Sequence, residues 1–212
     1  EFAKENGLNY IQLPTAESPR TMMGYSITQL LHFLNHYGLI GDTFKANLKK
    51  SAKLIDDLQD QIQLDAERIT DHLEGKIPVI YACDGYEGMA VRFRQQLNEN
   101  SKMLAWHNIV PEMNHNELVG WRNKNENLAV IFFRNDTDYT RNQKRLEINN
   151  EVVSKYTSSV MEYWSKGESM IEKTFYFVNV GDHVSYILSQ RNGVEAAEID
   201  VINSLKGALA DF

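Results

Sequence analysis

Apolar residues recur three and four positions apart along two early stretches: Ile27, Leu30, Leu31, Leu34 and Tyr37 or Leu39, then Leu48, Ala52, Ile55, Leu58, Ile62, Leu64, Ile69 and Leu73. This spacing marks one face of a helix. It predicts an amphipathic helix stopped at Gly38 and Gly41, and a long surface helix or helix pair from Phe44 to about Leu73. Ahead of them, Tyr10 to Leu13 reads as a short strand that Pro14 and a polar turn through Pro19 would end. From Ile77 the period changes. Residues 77–82 predict a buried strand, 83–88 a loop with two glycines, 89–100 a helix and 103–106 a short second strand. Leu128 to Phe133 is apolar at every position, as a central parallel strand buried on both faces should be. Helix is expected over 141–156, strand over 159–164, an apolar-rich helix over 169–190 and a last helix over 199–209. Strands alternating with helices predict an α/β fold, a parallel-sheet αβα sandwich beginning at about residue 44, with residues 1–43 as the tail of a preceding domain. There is no internal repeat and no low-complexity segment.

The length, 212 residues, suits one large domain or one domain and part of another. A net charge of −7 and a pI near 5.4 leave no broad basic field for nucleic acid, which needs clustered Lys and Arg. Cys83 is the sole cysteine, so no disulfide can form within the chain, which fits a reducing, cytoplasmic setting. No apolar run reaches the roughly 18 residues of a membrane span, and no basic-then-apolar signal opens the chain. A soluble cytoplasmic protein is expected. The first residue is Glu1, not methionine, in the middle of a running αβ pattern, so a fragment is expected as well.

Candidate chemistry concentrates between Phe93 and Trp121, where Glu99 and His115 stand sixteen residues apart among amides and aromatics. A carboxylate and an imidazole are materials for moving protons near neutrality. The loop at 83–88 would lie at the carboxyl end of a strand, where sites in open α/β sheets form. Its glycines before a helix could cradle phosphate, but Asp84 and Glu87 would repel a dianion. Each residue also has a plain structural reading. Glu99 could be an exposed helix-end residue, and Arg20 a surface charge. His115 and Glu117 lack a third ligand at metal spacing, so no metal is expected. Lys206 could be a solvated charge facing a helix dipole, and Asn98, Asn100, Asn114 and Asn116 caps and turns.

Four motifs in order carry a resemblance: Pro19-Arg-Thr-Met-Met-Gly-Tyr25, Asn98-Glu-Asn100, Pro111-Glu-Met-Asn-His-Asn-Glu-Leu-Val-Gly-Trp121 and Ile202-Asn-Ser-Leu-Lys206. Together they resemble the bifunctional phosphoglucose/phosphomannose isomerases, built from two sugar isomerase (SIS) domains. The resemblance spans nearly the whole chain. It implies that 1–43 is the tail of a first SIS domain with a connecting helix and that 44–212 is the C-terminal SIS domain. It further implies a homodimer acting without cofactor or metal on a sugar phosphate. Glu99 would be the base shuttling a proton between C2 and C1 through a cis-enediol, and His115 the ring-opening group reaching the neighbouring subunit's site. Lys206 would assist ring opening or hold substrate, and Arg20 would stabilise the enediolate charge.

Two departures from the family pattern stand out. The first domain's glycine-rich segment and the Ser/Thr loop that grips phosphate have no counterpart, so the isolated chain is expected to be inactive. The threonine that the family often carries before the lysine, linked to use of mannose 6-phosphate, is replaced by the stretch Ala196-Ala-Glu-Ile-Asp200. The expected activity is aldose–ketose isomerisation of glucose 6-phosphate and fructose 6-phosphate, with mannose 6-phosphate as a possible further substrate. The alternative is a non-catalytic sugar-phosphate-sensing or dimerisation module.

Overall fold

A computed structural model describes residues 1–15 and 18–210. The chain divides into two compact units, Glu1–Lys50 and a second from Ser51 onward. The first contains α1 (Phe2–Glu5), a tight 3₁₀ turn at Pro19–Met22, α2 (Met23–His36) and the start of α3 (Thr43–Asp57). Gly38, at φ +72°, ends α2 in the left-handed conformation that costs glycine least. The amides of Gly38 and Leu39 turn back to the carbonyls of Asn35 and Leu34, both at 2.9 Å. The strand expected over Tyr10–Leu13 does not form. The segment is irregular, with Tyr10 and Ile11 exposed, because an isolated four-residue run has no neighbouring strand to bond with.

The second unit is built on one four-stranded sheet of order β2-β1-β3-β4, every pair parallel. Its strands are β1 (Ile77–Cys83), β2 (Trp106–Val110), β3 (Leu128–Arg134) and β4 (Val160–Trp164). Side chains alternate across the sheet and feed two cores. On one face Val79, Tyr81, Val130 and Phe132 pack with Leu146 and Val153 of α7 (Thr140–Val153). On the other, Phe133 meets Phe93 of α5 (Glu87–Glu99) and Phe177 of α8 (Met170–Arg191), with ring centroids 5.5 and 4.8 Å apart. On that side α4 (Gln59–Leu73) lies against α8, and its Asp65 accepts from the Tyr163 hydroxyl of β4 at 2.9 Å. Helices thus cover both faces, giving the expected three-layer αβα sandwich. The chain steps from β1 to β2 over one face and from β3 to β4 over the other, as right-handed crossovers demand.

Local sequence explains the element ends. Ser169 caps α8 in a reciprocal box with Glu172: the serine oxygen accepts from the Glu172 amide at 3.2 Å and the carboxylate from the Ser169 amide at 2.9 Å. β3 is buried at all seven positions, as its unbroken apolar run predicts. The strand expected at 103–106 instead begins at Trp106. Helix α5 takes up the backbone of Met103, whose amide bonds the Leu97 carbonyl at 3.1 Å and whose carbonyl accepts from Asn98 Nδ2 at 2.7 Å. Those groups are not left for a ladder. The expected loop at 83–88 is also tighter than a loop: a 3₁₀ turn over Asp84–Tyr86 leads straight into α5. The short α6 (Glu117–Gly120) and α9 (Asp200–Leu209) complete the second unit.

Candidate functional site

Helix α5 starts at the carboxyl end of β1 and runs back along the sheet, so its last residue, Glu99, comes to the opposite edge, where β2 begins. The candidate base thus lies away from the strands' carboxyl ends, where the turn at 84–86 is found. The last turns of α5 are tied to α8 by side chains. Gln96 Nε2 donates to Asp182 at 3.0 Å, Asn100 Nδ2 to Ser185 Oγ at 3.0 Å, and Ser101 Oγ to the Ser185 carbonyl at 2.7 Å. Glu99 is half-buried and borders a hollow of about 330 Å³ with Asn98, Lys102, Met103, Glu198 and Ile202.

Lys206 follows Ile202 by four residues on α9, so it lies on the same helix face one turn beyond the hollow. It is exposed and makes no ion pair among the described residues. Arg20 is half-buried in the 3₁₀ turn of the first unit.

His115 lies at the other edge. It closes a 3₁₀ turn, Glu112–His115, that follows the carboxyl end of β2. The five residues of β2 alone separate the two edges by about 13 Å. The histidine is exposed, but the loop around it is pinned on both sides. Before it, Met113 is fully buried and Asn114 Nδ2 donates to Asn149 Oδ1 of α7 at 2.6 Å. After it, the Glu117 carboxylate accepts from the Tyr81 hydroxyl at 2.5 Å, Trp106 Nε1 at 3.0 Å and Asn108 Nδ2 at 2.6 Å. Trp121 Nε1 in turn donates to the Tyr81 oxygen at 2.9 Å. Burial first, then the adjacent Glu117 charge, push the Tyr81 hydroxyl well above its usual pKa, so it stays protonated and keeps donating.

The structure therefore brings the Glu99 hollow and the Lys206 face of α9 to one edge and puts His115 at the other. Sequence reading passed over Lys102, Glu198 and the anchoring role of Glu117. Glu117 stood inside a noted motif, but its partners reach back 36 residues to Tyr81. Among the described residues no group of three His, Cys, Asp or Glu could hold a metal ion, and no helix is long and apolar enough to cross a membrane.

Residues 62–209 match the family model described as the bacterial phospho-glucose isomerase C-terminal SIS domain. The chain belongs to this family. It is 30% identical over 223 residues to the bifunctional phosphoglucose/phosphomannose isomerase of Caldicellulosiruptor bescii, an alignment covering 100% of this chain and 66% of that protein. To the enzyme of the same name from Aquifex aeolicus it is 27% identical over 212 residues, 99% of this chain and 64% of the relative. The chain thus spans a little under two thirds of the length of these curated relatives. The crystal structure of glucosamine-6-phosphate deaminase from Thermotoga maritima superposes with a TM-score of 0.62 at 18% identity, over 92% of this chain and 60% of that one. That likeness concerns the SIS fold alone.

Proposed function

We propose that this chain is the C-terminal portion of a cytoplasmic, homodimeric aldose–ketose isomerase acting on glucose 6-phosphate and fructose 6-phosphate. The observation that carries the reading is Glu99, half-buried at the rim of a hollow at the end of a rigidly tied helix, within the Asn-Glu-Asn motif. In the open-chain aldose the Glu99 carboxylate takes the C2 proton as the carbonyl oxygen at C1 gains one, giving a cis-enediol. The carboxylic acid then returns its proton to C1 while the C2 hydroxyl loses its own, and the ketose forms. No electrons leave the sugar, so no redox cofactor is called for. A positioned base contributes on the order of 10² to 10⁴ in rate.

Ring opening needs a proton delivered to the ring oxygen and one removed from the anomeric hydroxyl. We assign this to His115 of the partner subunit, helped by Lys206. An exposed histidine on an anchored loop, an edge away from its own Glu99, suits service to another chain. Arg20 is assigned to the charge developing on the enediolate. Residues 1–43 are proposed as the end of a first SIS domain with its connecting helix, and 44–212 as the C-terminal SIS domain. Mannose 6-phosphate is the aldose to assay beside glucose 6-phosphate, since Ala196–Asp200 lacks the threonine that the family resemblance links to its use.

The test compares this chain with the full-length polypeptide. The chain should melt cooperatively and turn over neither glucose 6-phosphate nor fructose 6-phosphate, whereas the full-length protein should isomerise both. A full-length protein without turnover would refute the reading, and an active isolated chain would refute the fragment part of it.

A further inference from the structure

The residue that follows the last turn of α5 has a backbone conformation its side chain disfavours. Lys102 is at φ +57°, the one non-glycine residue with positive φ among those described. Glycine or asparagine is usual where a chain leaves a helix in this conformation, and a lysine there is retained against a local cost. What the lysine does in exchange is visible. Its Nζ donates to the carbonyl of Glu99 at 2.7 Å and to the carbonyl of Glu198 at 2.7 Å, with the Glu198 carboxylate 3.9 Å away. Glu198 belongs to the segment between α8 and α9, and both it and Lys102 line the hollow beside Glu99.

We infer that Lys102 is a positioning residue for proton transfer. Its ammonium clamps the last turn of α5, and with it Glu99, to the segment that launches α9 and Lys206. The inference rests on the isomerase reading above. The helix end supplies the carbonyl of Glu99 at its negative pole, where an ammonium is favoured, so the clamp acts on the backbone of the base. A carbonyl from a segment 96 residues further on completes the grip. Neither bond can be made by a glycine, although a glycine suits the φ angle.

Those opposed preferences supply the test. In the full-length polypeptide, Lys102→Gly should keep or raise the melting temperature, because it relieves the backbone. It should still lower kcat by about 10-fold or more with KM within about 2-fold, since small misplacements of a reacting group carry such penalties. Glucose 6-phosphate deuterated at C2 should show a larger isotope effect on kcat in this variant than in the wild type, as proton transfer becomes more rate-limiting. Lys102→Arg, which can still reach carbonyls, should restore most of kcat. A Lys102→Gly variant with wild-type kcat, or one whose kcat falls only in proportion to its folded fraction with an unchanged isotope effect, overturns the inference. An inactive wild type would instead take down the isomerase reading, and this inference with it.

Discussion

The two edges of the sheet carry the same kind of chemistry in opposite settings. At the amino edge, Glu99 is half-buried beside a hollow, on a helix end tied to α8 and clamped through Lys102 to the α8–α9 segment. At the carboxyl edge, His115 is exposed, and its order comes from neighbours: Asn114 on one side and the triply bonded Glu117 on the other. On the proposed reading, Glu99 as the base is held still by its scaffold, and His115, offered to another chain, projects on a short loop whose flanks are fixed. The difference between the edges is what a site divided between subunits would require.

Removing the base should separate the edges most sharply. Glu99→Gln in the full-length polypeptide is expected to lower kcat by about 10² or more with KM almost unchanged, since the amide keeps the shape and loses the base. A variant retaining more than about a tenth of wild-type kcat would remove Glu99 from the chemistry. At the carboxyl edge, Glu117→Gln replaces one carboxylate oxygen by an NH₂ group facing a donor, so it should cost about 1–3 kcal/mol of stability. Its kcat loss should be smaller than that of Glu99→Gln and should leave the C2-deuterium isotope effect unraised, because ring opening and not proton transfer is disturbed. A raised isotope effect would mean that the two edges are not independent.

A smaller effect is expected from Gly181→Ala. A β-carbon there would come within 2.8 Å of the Phe93 ring, which is buried between α5 and α8 and cannot swing away. Overpacking costs typically about 1–3 kcal/mol, offset by up to about 1 kcal/mol of helix propensity. Thermal melts should show net destabilisation, and a variant more stable than wild type would contradict the close packing of α5 on α8.

The smallest effect is on pH dependence. Burial holds His72 below the usual histidine pKa, and burial together with Arg94 does the same for His107 on β2. A depressed folded pKa means that the unfolded chain binds the proton more readily. Stability is therefore complete above about pH 6.5 and falls as pH drops through the folded values. Melting temperatures of His72→Gln should fall less than those of wild type between about pH 7 and 5. Equal slopes would contradict it.

Much of the sandwich was legible because its signals are local. The unbroken apolar run of β3 and the period of α3 and α4 each lie within a few residues. Tyr10–Leu13 failed because a strand is defined by a partner, which four residues do not reveal. The shift of β2 from 103 to 106 came from Asn98 and Leu97 capturing the backbone of Met103. Glu99 and His115 were singled out only through motifs, since neither residue type nor spacing distinguishes a catalytic carboxylate from a surface one. Lys102 left no trace in the sequence. Its importance lies in a backbone angle and in a bond to Glu198, 96 residues away.

The central claim, that a base at one edge of one subunit works with a histidine at the opposite edge of another, has one direct test. Full-length Glu99→Gln and His115→Ala chains, each inactive alone, are mixed under conditions that exchange subunits, and heterodimers are isolated by differing tags. The account predicts that the heterodimer regains up to about half of wild-type activity, because one of its two shared sites has both groups intact. Heterodimers as inactive as either parent would put Glu99 and His115 in the site of a single subunit and contradict it.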